Sequence, residues 1–258
     1  MHRIFSILLV CSFYGVSNCA CAQGIAASDP QAVTFATRSL AALTGGTLIG
    51  DVTLTGNETW NGRETGSATL KALGSGESET EFALTTGTRT VIRDAQSGIP
   101  LGKWTGPNDI SGAVVNHNCL TDAAWFFPAL GSLQGGSNVV LSYIGEESRN
   151  GAMVQHIQSY VPQSSQSPSP TSQSLSTMDF YLDGVTLLPV AVTFNAHPDT
   201  NASANLPVEI DYSDYQMTNG YRVPMHIQRY QQSSLIMDIH LSSASFNVGL
   251  SLSAFAIN

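Results

Sequence analysis

Asx-Gly pairs punctuate this chain, among them Asn61-Gly62, Asp183-Gly184 and Asn219-Gly220, each between runs in which apolar and polar residues alternate. Such pairs supply the positive backbone angles of tight hairpins, so each marks a place where a strand turns back on itself. Leu48 to Thr55 alternates before the first pair, and Ala68, Leu70 and Ala72 alternate after it. Phe82–Thr86, Thr88–Asp94 and Ile99–Trp104 follow at short spacing, then Asn138–Glu147 and Ala152–Tyr160. Met178–Leu182, Thr186–Phe194, Val208–Met217, Tyr221–Tyr230 and Leu235–Phe246 complete the series. Strands this close together cannot be joined by crossover helices, so the pattern predicts an antiparallel meander.

Two stretches read as helical. Asp29–Leu43 places Val33, Ala36, Leu40 and Leu43 at three- and four-residue spacing, with Ser28 or Asp29 as N-cap, Pro30 at the first position and Gly45-Gly46 as the stop. Thr121–Leu130 is compact and strongly apolar, which predicts a short central helix with Thr121 as N-cap that ends at Gly131, or, since Pro128 limits it, a broken helix or a helical turn. Between Pro162 and Ser176 the sequence PQSSQSPSPTSQSLS has no periodic apolar residues and reads as a flexible loop. Neither side of that loop carries a full set of strands, so residues 23–258 are expected to form one domain.

The first 22 residues read as a secretory signal peptide. His2 and Arg3 precede an apolar run, Ile4–Val16, and Ala20-Cys21-Ala22 supplies the small-residue cleavage site. The run is too short to span a bilayer, which takes about 20 apolar residues, and no later segment is longer. Cys19 and Cys21 lack the flanking residues of a lipid-anchoring site, so a lipid-anchored form is the minor alternative to a free periplasmic or secreted protein. Cleavage after Ala22 removes three of the four cysteines and leaves Cys119 alone, without a disulfide partner. Of 258 residues only 11% are charged and the net charge is −9, with Lys71 and Lys103 the only lysines. Such a surface has nothing with which to neutralise phosphates, which excludes nucleic acid as a partner.

The last hairpin can be registered in advance. Leu235, Met237, Ile239 and Leu241 form one face of its second strand. Set opposite Gln231, Arg229, Ile227 and Met225 across a loop of Gln232–Ser234, they put His226 beside His240 and Gln228 beside Asp238 on the other face.

Motif chemistry is sparse. His117, Cys119 and Asp122 are zinc-ligand types, but their spacing is tighter than the usual pairs and no second cluster follows, so a buried cysteine beside a loop histidine is the expectation. His226 and His240 offer two ligands across a strand pair, which do not close a metal site. Glu77, Glu79 and Glu81 alternate and read as a solvated face. G-x-S-x-G, H-E-x-x-H, G-x-G-x-x-G and the phosphate-binding loop are absent, so a non-enzymatic protein without a cofactor is expected.

The C-terminal third also resembles the LolA/LolB-like lipoprotein-carrier superfamily. The residues that carry the resemblance are Tyr212-Ser-Asp214-Tyr, then Asn219-Gly220-Tyr-Arg-Val-Pro224-Met-His-Ile227, with Asp183, Thr186, Leu188 and Pro189 ahead of them. The resemblance implies a strongly curved antiparallel sheet, an unclosed half-barrel, whose concave face is covered by helices and holds acyl chains or other hydrophobic groups. On that basis the expected ligand is a lipid, a lipoprotein acyl chain or another hydrophobic small molecule, with envelope proteins as further partners. Trp125, Phe126 and Phe127 would cover the concave face, with Leu235, Met237 and Ile239 beneath, as the ligand-binding set. They serve either as permanent core or as a lid. The competing expectation is a protein- or glycan-binding module with a filled core, presenting Tyr212, Tyr215, Tyr221 and Tyr230 as its surface.

Overall fold

The computed structural model describes residues 26–94, 100–136, 138–162 and 171–257. The expected signal peptide and most of the Ser/Pro/Gln-rich stretch lie outside them. Thirteen antiparallel strands form one sheet that does not close into a barrel. The first six are β1 (Asp51–Trp60), β2 (Glu64–Leu73), β3 (Ser78–Leu84), β4 (Gly87–Asp94), β5 (Leu101–Thr105) and β6 (Ser111–Val114). The others are β7 (Val140–Arg149), β8 (Ala152–Tyr160), β9 (Met178–Asp183), β10 (Pro189–Ala196), β11 (Leu206–Thr218), β12 (Tyr221–Gln231) and β13 (Ser234–Phe246). Each group is a meander, and the two join where β1 pairs with β13. The first and last strands therefore meet in mid-sheet, and the two edges are β6 and β7, which are consecutive in sequence. The connection between them, residues 115–139, has to travel from one edge of the sheet to the other.

Strand period two sets the inward face. Val52 and Leu54 on β1, Ala68, Leu70 and Ala72 on β2, Phe180 and Leu182 on β9, and Val208 and Ile210 on β11 are all buried. Asn61-Gly62 and Asn219-Gly220 turn tightly with positive φ at both residues, as their chemistry dictates. Asp183 makes its turn differently: its carboxylate accepts the amides of Val185 (3.1 Å) and Thr186 (2.7 Å) and the Thr186 hydroxyl (2.8 Å). Those bonds hold the Asp183 carboxyl below the usual carboxylate range.

Helix α1 (Pro30–Thr44) begins where Asp29 accepts the Gln31 amide at 2.7 Å and ends at Gly45, whose amide bonds Ala41 O. Its buried stripe is Ala32, Ala36, Ser39 and Leu43, three small residues and one leucine, while the expected Val33 is 42% exposed.

Four expectations need correction. Thr121–Leu130 takes the broken form rather than a continuous central helix. Pro128 lacks a donor and pushes Phe127 to φ −144°, ψ 90°, so the stretch breaks into a turn followed by the 3-10 helix Pro128–Leu130. The second α-helix, α2 (Thr171–Ser176), lies instead inside the stretch read as a loop over 162–176, of which 163–170 are not described. Glu77 is buried just ahead of β3 and takes the Ser75 hydroxyl, while Glu79 pairs with Lys71 at 2.8 Å, so the three glutamates are not one solvated row. The last hairpin keeps the predicted pairs His226–His240, Ile227–Ile239, Gln228–Asp238 and Arg229–Met237, but its register then shifts. Tyr230 faces Leu235, and the loop is Gln232-Ser233. The extra residue, Ile236, packs on the core, and Leu235 is 37% exposed.

Candidate functional site

The edge-to-edge connection crosses the concave face and is fastened along its length. Asn118 and His197 exchange two hydrogen bonds, both 2.8 Å. The Arg93 guanidinium donates to Thr121 O (3.0 Å), the Ser78 hydroxyl to Ala123 O (2.9 Å) and the Tyr212 hydroxyl to Trp125 O. Asp122 then closes the segment on itself by accepting the Ser132 amide at 2.9 Å and its hydroxyl at 3.1 Å. A Cβ on Gly131 would stand 2.0 Å from the Asp122 carboxylate, so only glycine permits that closure. Burial pushes the Asp122 carboxyl up, against the Ser132 bonds and the Arg93 charge that favour ionisation.

Consecutive side chains of this segment serve opposite ends of the concave face. Phe126 and Phe127 are fully buried, with the Phe127 ring 5.6 Å from that of Phe246. Trp125 instead borders a cavity of about 310 Å³ between the segment and strands β1, β3–β6, β10, β12 and β13. That volume falls near the lower end of small-molecule sites, roughly 300–1,000 Å³. All three tryptophans of the chain, Trp60, Trp104 and Trp125, line it, together with Phe82 and Met237. Gly112 makes room for Trp104, since a Cβ there would meet the indole at 3.0 Å.

Three of the eight arginines line the same cavity: Arg89 and Arg93, alternating on β4, and Arg229 on β12. The Arg89 guanidinium lies 5.2 Å from the Trp60 ring centroid, and that of Arg229 lies 5.2 Å from Trp125. Burial, reinforced by repulsion from Arg93, brings Arg229 down to about 10. Glu58, fully buried on β1 with neither oxygen hydrogen-bonded, is pushed up to about 8, mainly by burial and then by Asp238, with Arg229 opposing.

Of the six expected ligand-binding residues, Trp125 and Met237 line the cavity, Phe126, Phe127 and Ile239 sit in the packed interior, and Leu235 is displaced by the bulge. The arginines and the other two tryptophans were not foreseen. Their signal is their phase: Arg89, Val91 and Arg93 continue the inward positions of β4, and Arg229 follows Ile227 on the inward face of β12. Cys119 is buried with its thiol 3.8 Å from Val114 O, and burial raises its pKa. On the opposite face of the sheet His226 Nε2 and Asp238 Oδ1 are 2.7 Å apart, and the His226 and His240 rings stack at 4.2 Å. Asp238 thus joins the expected histidine pair. The tyrosine surface is not built. Tyr212 and Tyr221 are buried, and the Tyr215 hydroxyl is spent on Pro189 O at 2.7 Å.

No helix of the described residues is long and apolar enough to cross a membrane. No protein-family model matches the sequence, and no curated protein matches it either. Solved structures are similar in fold. An outer membrane lipoprotein-sorting protein domain from Vibrio parahaemolyticus superposes with a TM-score of 0.54 at 14% identity, over 86% of this chain and 95% of that one. A DUF1329 family protein from Desulfovibrio piger gives 0.52 at 11% identity, over 90% and 100%. A LolA superfamily protein from Nitrosomonas europaea gives 0.53 at 9% identity, over 88% and 97%. The chain shares its fold, one antiparallel sheet that does not close, with these structures, a LolA superfamily protein among them.

Proposed function

We propose that the protein is exported to the cell envelope and acts there, without catalysis, by holding a lipid, an acyl chain or another hydrophobic group in the concave-face cavity. The observation that carries this reading is a cavity left open beside a fully packed core, walled by every tryptophan of the chain. An interior that served stability alone would close it, because unfilled apolar volume costs free energy. The names of the fold neighbours, a lipoprotein-sorting domain and a LolA superfamily protein, support the same class of ligand. The tyrosine surface on which the interaction-module alternative depended is largely spent inside the fold.

Because all three indoles face the cavity, their emission reports its occupancy. Titration with the neutral probe N-phenyl-1-naphthylamine is expected to quench indole emission saturably at one site per chain, and Trp125→Ala to weaken that binding. Native mass spectrometry is expected to find co-purified lipid. Absence of both bound lipid and a saturable signal would overturn the reading.

A further inference from the structure

The cavity is cationic in a chain whose net charge is −9. Placing three guanidinium groups around one apolar hollow is expensive unless something balances them. The available carboxylates do so poorly. Glu64 reaches only Arg89, at 3.7 Å, and also takes the Thr86 hydroxyl. Asp122, which also lines the cavity, attracts Arg93 but gives its hydrogen bonds to Ser132, and Glu58 makes no hydrogen bond among the described residues. The Nε atoms of Arg89 and Arg229 are likewise buried without hydrogen-bond partners. Both guanidinium groups rest against an indole, an arrangement that uses the flat face of the group and leaves its N–H edge to bind something else.

We propose that the ligand is an anionic amphiphile: an acyl chain carrying a carboxylate or phosphate head, the head held by Arg229 and Arg89 and the chain by the tryptophan-lined wall. This rests on the hydrophobic-ligand reading above and names the chemistry of its polar end. A planar oxyanion matches a guanidinium edge through paired, charge-assisted hydrogen bonds. It would also relieve the mutual repulsion of Arg93 and Arg229.

The test compares chains of equal length with different heads. Dodecanoate and dodecanol are titrated at pH 7 as competitors of N-phenyl-1-naphthylamine, beside inorganic phosphate as a free anion. Dodecanoate should bind at least about tenfold more tightly than dodecanol, the effect of one charge-assisted pair. The preference should fall to within about twofold in Arg229→Met and be reduced in Arg89→Gln, while dodecanol affinity holds in both. Arg89 is part-exposed at the cavity wall, so its variant keeps the test open if Arg229→Met does not fold. Equal binding of acid and alcohol would overturn the anionic head and leave the hydrophobic cavity standing. Displacement of the probe by phosphate as readily as by dodecanoate would overturn the amphiphile. Failure of every chain to compete would overturn the underlying reading itself.

Discussion

One concave face carries two kinds of interior, and the boundary between them is only two residues wide along a strand. On β12 the fully buried Ile227 is followed inward by Arg229, and on β13 Ile239 is neighboured by Met237 at the cavity wall. On the crossing segment the change occurs between adjacent residues, Phe126 in solid packing and Trp125 against the hollow. Toward one end α1 and the 128–134 stretch close over strands β7, β8 and β12, where Leu43, Leu133 and Ile157 are fully buried. At the other end no described residue fills the space between the arginines and tryptophans. The difference teaches that strand period decides which residues face inward, whereas side-chain chemistry decides whether that face becomes core or site. The filled end accounts for stability, and the cationic end works against it, because buried charge rarely stabilises a fold.

The sharpest way to break this division is Phe126→Ala. Removing a fully buried phenyl ring from close packing should cost about 3–5 kcal/mol in urea denaturation. Probe affinity, measured on the folded fraction, should change less than twofold. A small stability loss coupled to a large affinity loss would place Phe126 in the site and erase the boundary. Glu58 tests the charged side by pH. Its carboxyl is held up at about 8 against an ordinary 4.5, so the native state keeps a proton that the unfolded chain gives up. Its contribution is fully present below about 4.5, is lost at about 1.4 kcal/mol per pH unit as pH rises toward 8, and is flat beyond. Glu58→Gln should remove that slope and stabilise the protein at neutral pH. A variant with an unchanged slope would assign the pH dependence to other groups, Asp122 first among them, since burial raises it as well.

The strands and their hairpins were legible because Asn-Gly chemistry and period-two alternation are local properties. The register of Ile227, Gln228 and Arg229 followed from matching apolar faces. The bulge at Ile236 did not, because it reflects twist at the hairpin end rather than pattern. Trp125–Phe127 was recognisable as interior from its apolarity alone. Its helix was not realised, because Pro128 outweighs the propensity of its neighbours. The cavity was hidden for a different reason. It is assembled from β4, β5, the crossing segment and β12, and only the pairing of β1 with β13 brings those strands around one space. Arg229 falls in an apolar row of the strand pattern. An arginine in phase with buried aliphatic residues is the sign by which such a site can be found.

The smallest effect is expected where the chain is cut between residues 163 and 170. The composition there, Ser, Pro and Gln without apolar period, favours proteolysis over packing. Cleavage would leave a fragment ending after β8 and another beginning at α2, joined along two seams, β8 with β9 and β1 with β13. Both interiors need both fragments. Ile157 and Leu133 pack in the same core as Phe180 and Leu182, and Arg89 and Trp60 share the cavity with Arg229 and Met237. The nicked protein should therefore elute as one species in gel filtration, with probe affinity unchanged and a stability that now depends on protein concentration. Separation into two cooperatively folding pieces would show two domains. Retention of the probe by one piece alone would show that the hollow end stands without its partner strands, and the division drawn here would then run between fragments rather than along each strand.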